Sequence, residues 1–395
     1  MRRAATTVTT LVLAVSAAPA GDAAAAPDAG SLLGWGMLPD RAALGLGSDY
    51  ATPGPVVLPA GAGPIATAAV GSNVVLAVTR AGDLYVEGRA WATGTGAAQN
   101  DPSTVGPRAF ALPAATAPVV AVAAGAENAY ALTAAGELYG WGLNGKGELG
   151  QSSGAYSATP IRIQLPLAAG RIVRIAAGAA HAAAVTDRGE VWAWGADESG
   201  QTGQPTATSL PPQRVTAGGL DSEQVLDVVA GDAFTLVRTA AGRAWGFGSD
   251  SFGQLGTVPS GGGSHPQPTP TPIALNPAHE PAVAALAAGS YHALALADGA
   301  VYSWGRQGVG ALGRPVAGLA APGAVALPDG AGAPVAVAAA SAQSFVTTAT
   351  GQAFGFGDSD VGQLGNPGLP YGSEVGTATP TPVALPAGTT LSRVF

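Results

Sequence analysis

Apolar residues in this chain fall in short runs bounded by glycine or proline, and no stretch sustains a 3.6-residue period. Runs such as "VVAVAAG", "HALALA" and "ELYGWG" have the length and punctuation of strands. They also recur in order. "AGELYGWGLNGKGELG" ends at Gly150, "RGEVWAWGADESGQTG" at Gly203, "AGRAWGFGSDSFGQLG" at Gly256, "DGAVYSWGRQGVGALG" at Gly313 and "TGQAFGFGDSDVGQLG" at Gly365. Weaker copies stand near Trp35 and at "AGDLYVEGRAWATGTG", which makes seven. Self-similarity at about 53 residues is the signature of propellers and arrays.

Each unit predicts four short strands: a small-residue strand, an "HALALA"-type strand, a turn glycine leading to "ELYGWG", and a proline-led segment such as "TPIRIQLP". Inner strands of a radial ring are crowded, which accounts for their alanine and glycine. An inner glycine recurs at Gly71, Gly125, Gly178, Gly231 and Gly289, with Ala340 in the last copy. Gly142, Gly195, Gly248, Gly305 and Gly357 hold the second position of the "WG" pair. The slot before them holds Trp35, Trp141, Trp194, Phe247, Trp304 and Phe356, expected to fill the wedge between sheets. Glu87 occupies that slot in the second copy, with Trp91 nearby to fill the gap.

The combination "G…HALALA..G.VYSWG…G.LG" resembles the repeat of the regulator of chromosome condensation family, from Gly30 to the end. The resemblance implies an all-β, seven-bladed β-propeller of about four-stranded blades. It also implies a ring closed by pairing the N- and C-terminal segments, since "TTLSRVF" copies the start of an inner strand and "GSLLGWG" begins at a third strand. This closing blade has no clear "HALALA" copy, so it is expected to have one strand fewer or a poor substitute from the mature N-terminus.

The first residues read differently. Arg2 and Arg3, an apolar run from about Val8 to Val15, and Ala18-Pro-Ala20 form the pattern of a secretory leader over residues 1–20. Residues 21–28 then act as a spacer and 29–395 as the propeller. The expected location is outside the cell or at its wall, without membrane insertion once the leader is removed. Loss of Arg2 and Arg3 takes the net charge from −8 to −10, which disfavours nucleic acid. Gly 59 and Pro 32 would suggest low complexity, but 47% hydrophobic and 11% charged residues supply a core. With no cysteine, packing alone must hold the fold.

Candidate chemistry is sparse. His181 and His292 share one repeat position, filled elsewhere by Val74, Asn128, Phe234 and Gln343, which points to a structural task. His265 and His279 lie in the insertion "SGGGSHPQPTPTPIALNPAHE", part of the longest departure from the repeat, which starts at Thr257, and are expected in solvent. Asn144, Asp197 and Asp250 follow the WG glycine by two residues and predict side-chain-capped turns rather than a metal site. No catalytic triad order, phosphate loop or zinc pattern is present, so no enzyme activity, cofactor or metal is expected. The expected function is binding of a protein partner, as a monomer, through segments after GxLG that escape the repeat. Tyr156 and Tyr371 stand in two of these as candidate contacts. Two alternatives stand: an extracellular enzyme or carbohydrate binder using the central funnel, and a guanine-nucleotide exchange factor. Export, acidity and the lack of a β-wedge insertion disfavour the exchange factor.

Overall fold

The computed structural model describes residues 10–16, 30–37, 51–101, 103–151, 154, 156–205, 207–257, 265–316, 318–370 and 375–395. The protein is an all-β propeller of four-stranded antiparallel blades. Six blades are complete and follow the chain in order: 65–110, 119–163, 172–214, 225–273, 283–325 and 334–382. In each, four consecutive strands are neighbours, with the small-residue strand innermost. The outermost strand tolerates proline, as in Pro266–Ile273, because an edge leaves some N–H positions unused. That strand begins at Pro266, so the ladder takes up much of the expected insertion. No helix among the described residues is long and apolar enough to cross a membrane.

A seventh, partial sheet joins the two ends of the described chain. Its order is Leu391–Val394, Thr10–Ser16, Leu32–Met37 and Gly54–Pro55, the last only two residues long. The C-terminal segment pairs here as expected, with Ala14 opposite Val394. Its partner was not foreseen. Thr10–Ser16, inside the segment read as a leader, takes the second-strand place and pairs Val12 with Trp35. "TLVLAVS" is apolar and β-branched, so one composition suits a leader core and a buried strand alike.

Close approach at the axis fixes how blades meet. A Cβ on Gly71, Gly125, Gly178 or Gly231 would stand 2.5 Å from the carbonyl oxygen of the inner glycine one blade on. The next residue of each blade extends the ring through backbone bonds. Ala126 N–H donates to Ala179 O (3.4 Å), Ala179 to Asp232 (3.1 Å), Asp232 to Ser290 (3.3 Å) and Ser290 to Ser341 (2.8 Å).

Further out, aromatic residues latch blade to blade. Trp35, Trp141, Trp194, Trp304, Phe247 and Phe356 are all fully buried. Each tryptophan donates its indole N–H to a carbonyl in the preceding blade's loop: Trp35 to Gln363, Trp141 to Ala92, Trp194 to Glu148 and Trp304 to Gln254, at 2.7–3.0 Å. The last glycine of the loop lies under the next aromatic ring at Gly203, Gly313 and Gly365, and a Cβ on Gly365 would reach 2.9 Å from Trp35. The WG glycines Gly142, Gly195, Gly248, Gly305 and Gly357 have φ between 98° and 112°, which a side chain would strain.

These latches carry a measurable share of stability. Trp304→Phe keeps the ring but leaves Gln254 O without its indole donor, at a cost of about 1–3 kcal/mol. Trp304→Ala adds a cavity and should cost about 3–5 kcal/mol. Urea unfolding of both variants checks this. Equal and small losses would mean that the slot is not a latch.

Candidate functional site

The loops that leave the repeat emerge on one face. Inner-to-second-strand turns and the GxLG loops meet there because strands alternate in direction. The residue after each WG glycine donates to the inner turn of its own blade, as in Leu143 N–H to Glu127 O (2.9 Å) and Arg306 N–H to Tyr291 O (2.9 Å). These bonds tie every GxLG loop to the rim of the central channel.

The GxLG loops are capped from within. Asn144 Oδ1 accepts from Leu149 N–H (2.9 Å), Asp197 Oδ1 from Thr202 N–H (2.9 Å) and Asp250 Oδ1 from Leu255 N–H (2.8 Å). These side chains therefore hold loop shape, as their spacing suggested. Burial raises the Asp197 carboxyl above the usual carboxylate range, against the opposing bonds from Thr202. Among the described residues no three His, Asp or Glu side chains converge as a metal site.

His181 and His292 are buried between blades, and His292 also borders the axial cavity. Each ring folds back against its own inner glycine, Gly178 or Gly289. Thr235 Oγ1 donates to Gln201 O (2.9 Å), so His181 Nε2 donates to Thr235 Oγ1 (3.0 Å). Ser344 Oγ and Ala311 O repeat the arrangement for His292, at 2.8 Å for both bonds. Burial lowers both imidazoles to about 4. They are neutral groups near pH 7, packed against their neighbours. His279 is exposed beside Asp298 (3.3 Å), as expected, while His265 is half-buried and its carbonyl accepts from Asp250 N–H (2.9 Å).

Tyr156 is partly buried in a second interblade contact. Its ring meets Trp91 edge-on at 6.3 Å, and its hydroxyl reaches the carbonyls of Trp91 and Ala97. That is a structural task; a part in recognition remains a proposal. Trp91 is buried beside Glu87, in the blade that lacks the aromatic slot. Tyr371 lies outside the described residues.

At the axis of this face lies a cavity of about 690 Å³, walled mainly by alanine and glycine of the six inner strands. Most of its polar lining comes from the fourth to sixth blades, at Asp232, Ser290, Tyr291, His292, Arg306, Ser341 and Gln343, with Ser72 from the first. Asp232 accepts from the hydroxyls of Ser290 and Tyr291, and burial raises its carboxyl. Sequence reasoning missed this group. The available signal was departure from the repeat: Tyr291 stands where other blades have Asn73, Glu127, Ala180, Ala233 and Ala342.

Family comparison agrees with the repeat geometry. A model described as the regulator of chromosome condensation (RCC1) repeat matches residues 135–185, 188–238 and 241–296, and a second of the same description matches 119–148, 172–201 and 225–254. The chain carries RCC1 repeats. It is 31% identical over 261 residues to the E3 ubiquitin-protein ligase HERC2 of Mus musculus, covering 62% of this chain but 5% of that protein. It is 32% identical over 263 residues to the mitochondrial RCC1 domain-containing protein RUG3 of Arabidopsis thaliana, covering 63% of this chain and 56% of the relative. The match thus spans only part of either relative's length. The crystal structure of Kap60 bound to yeast RCC1 (Prp20) contains a similar fold, with a TM-score of 0.74 at 23% identity, covering 96% of this chain and 85% of that one.

The two histidines make stability depend on acidity. Each is free to protonate near 6.5 when unfolded but only near 4 when folded. Their contribution is therefore complete above pH 6.5 and is lost as pH falls toward 4. Between pH 7 and pH 5 the loss is roughly 2 kcal/mol per histidine. A His181→Asn, His292→Asn double variant, which borrows the side chain that Asn128 brings to the same slot, should lose less stability than wild type over that range. Parallel pH dependences in thermal melts would show that the rings titrate normally.

Proposed function

We propose that this chain is an exported, non-enzymatic propeller of seven blades that binds a protein partner through its loop face. The observation that carries the reading is the contrast between a locked scaffold and freed loops on one side. The latches consume His181, His292, the tryptophans and the capping acids in interblade and loop contacts. Loops such as "QPTATSLPP" and "NPGLPYGSEVGTATPTP" differ in length and chemistry while their ends stay fixed. Tyr156 and Tyr371 belong to this set of loops. The cavity of about 690 Å³ supports a second reading, a small ligand or carbohydrate in the funnel, since pockets of about 300–1,000 Å³ suit such molecules. Nucleotide exchange is a weaker reading for an acidic chain with a leader-like start.

Export bears on ring closure. Cleavage near Ala20 would remove Thr10–Ser16, leaving the seventh blade one strand short. Leu391–Val394 would then lose its hydrogen-bonded neighbour, because Thr10–Ser16 stands between it and Leu32–Met37.

Two measurements test this reading. Intact mass in culture supernatant should give the shortened chain; full-length protein confined to the cytosol would overturn export. Purified protein screened against the host's secreted and surface proteins should bind one of them, and exchange of the loop after Gly203 for glycine-serine should weaken that binding at unchanged melting temperature. Turnover of a substrate by the purified protein, lost on His181→Ala without unfolding, would instead make it an enzyme.

A further inference from the structure

The axis of the propeller is nearly symmetric, so its breaks in symmetry point to selection for something other than packing. The residue after the inner glycine is Ser72, Ala126 or Ala179 in the first three blades but Asp232, Ser290 or Ser341 in the next three. Tyr291 is the aromatic residue at its repeat position. Phe252, in the fourth blade's GxLG loop, stands where other blades have Lys146, Ser199, Val309 or Val361.

These departures converge. The rings of Phe252 and Tyr291 lie 4.9 Å apart at 56°. The Arg306 guanidinium stands over both, 5.1 Å from the first centroid and 5.8 Å from the second. Tyr291 is 36% exposed and Arg306 is exposed, both at the wall of the axial cavity. Among the described residues Arg306, like Arg80, Arg108, Arg188 and Arg314, forms no ion pair, and it differs from these in standing over two aromatic rings at the cavity wall. Asp232 does not serve it, being held by the Ser290 and Tyr291 hydroxyls. A guanidinium stacked on two rings has already lost much of its rotamer freedom, and its fork of donors matches a carboxylate.

Resting on the protein-binding reading above, we propose that Arg306, with Phe252 and Tyr291, is the centre of the partner surface. It receives an aspartate or glutamate side chain from a loop of the partner protein, while a neighbouring side chain of that loop enters the axial cavity. Arginine and tyrosine at the middle of a face are typical of interface hot spots. The surroundings narrow the partner further. Glu127, Asp358 and Asp360 stand on the same face and would repel a polyanion. The fitting partner segment therefore carries one acidic residue among neutral or basic ones, which distinguishes it from nucleic acid or an acidic tail.

The probe is a library of displayed cyclic peptides selected against the purified full chain. Selected peptides should share one Asp or Glu flanked by Lys, Arg or neutral residues. Arg306→Met and Tyr291→Ala should each weaken them at least tenfold with unchanged melting temperature. Arg306→Lys, which keeps the charge but loses the fork, should fall between. Val335→Ser, near the far end of an inner strand, should leave binding unchanged. Peptides that bind the loop face with no dependence on Arg306 would overturn this site and leave the protein-binding reading standing. Failure to select any loop-face peptide would overturn both.

Discussion

The contact on which the rest depends is the approach of one inner glycine to the carbonyl of the next. At 2.5 Å from an imagined Cβ, the space between Gly178 and Gly231 has no room for even a methyl group. That closeness brings the following residues within backbone hydrogen-bonding reach and so builds the ring of bonds from Ala126 to Ser341. It also explains what packs outside it. A side chain three residues on, whether Asn128, His181, Phe234 or His292, folds back over the bare glycine and fills the volume that a Cβ would have taken. Spacing at the axis then sets the wedge farther out, where indole and phenyl rings are the right size. Small at the centre and large outside is the composition a radial stack requires.

Much of this was legible in the chain because the repeat prints each constraint several times. The inner glycine, the aromatic slot, the capping residues Asn144, Asp197 and Asp250, and the pairing of the C-terminal strand each follow from a position repeated down the sequence. Two features escaped for different reasons. Thr10–Ser16 lies outside the repeat register, and a hydrophobic β-branched run satisfies a leader and a strand by the same chemistry. The group of Phe252, Tyr291 and Arg306 is drawn from two blades and three loop positions, so no single repeat displays it. Comparison of equivalent positions singles out Phe252 and Tyr291, while Arg306 shares its slot with Arg89, so its part in the group shows only in the three-dimensional ring.

Tyr156 shows that a residue in a freed loop can also carry a structural task. An aromatic residue in a freed loop has the chemistry of a recognition contact, yet its hydroxyl reaches back to the carbonyls of Trp91 and Ala97. The blade before it lacks the regular aromatic slot, having Glu87 there, and the pair of Trp91 and Tyr156 fills the space. A loop residue can thus depart from the repeat because it repairs a local defect in it.

That distinction sharpens what asymmetry means in a repeat fold. Some departures compensate for one another, as Trp91 and Tyr156 do beside the blade that has Glu87 in the aromatic slot, and the Tyr156 hydroxyl is engaged by carbonyls. Others leave an exposed group in excess of what packing needs. Arg306 is of this second kind: it is positioned by two aromatic rings, yet among the described residues no carboxylate answers it. Packing alone gives no reason to hold a cation so carefully at the rim of a cavity, since an alanine there, as at Ala196 in the third blade, completes the same turn. The binding surface of such a ring is therefore to be sought among departures that remain uncompensated, and here these gather at the boundary between the fourth and fifth blades.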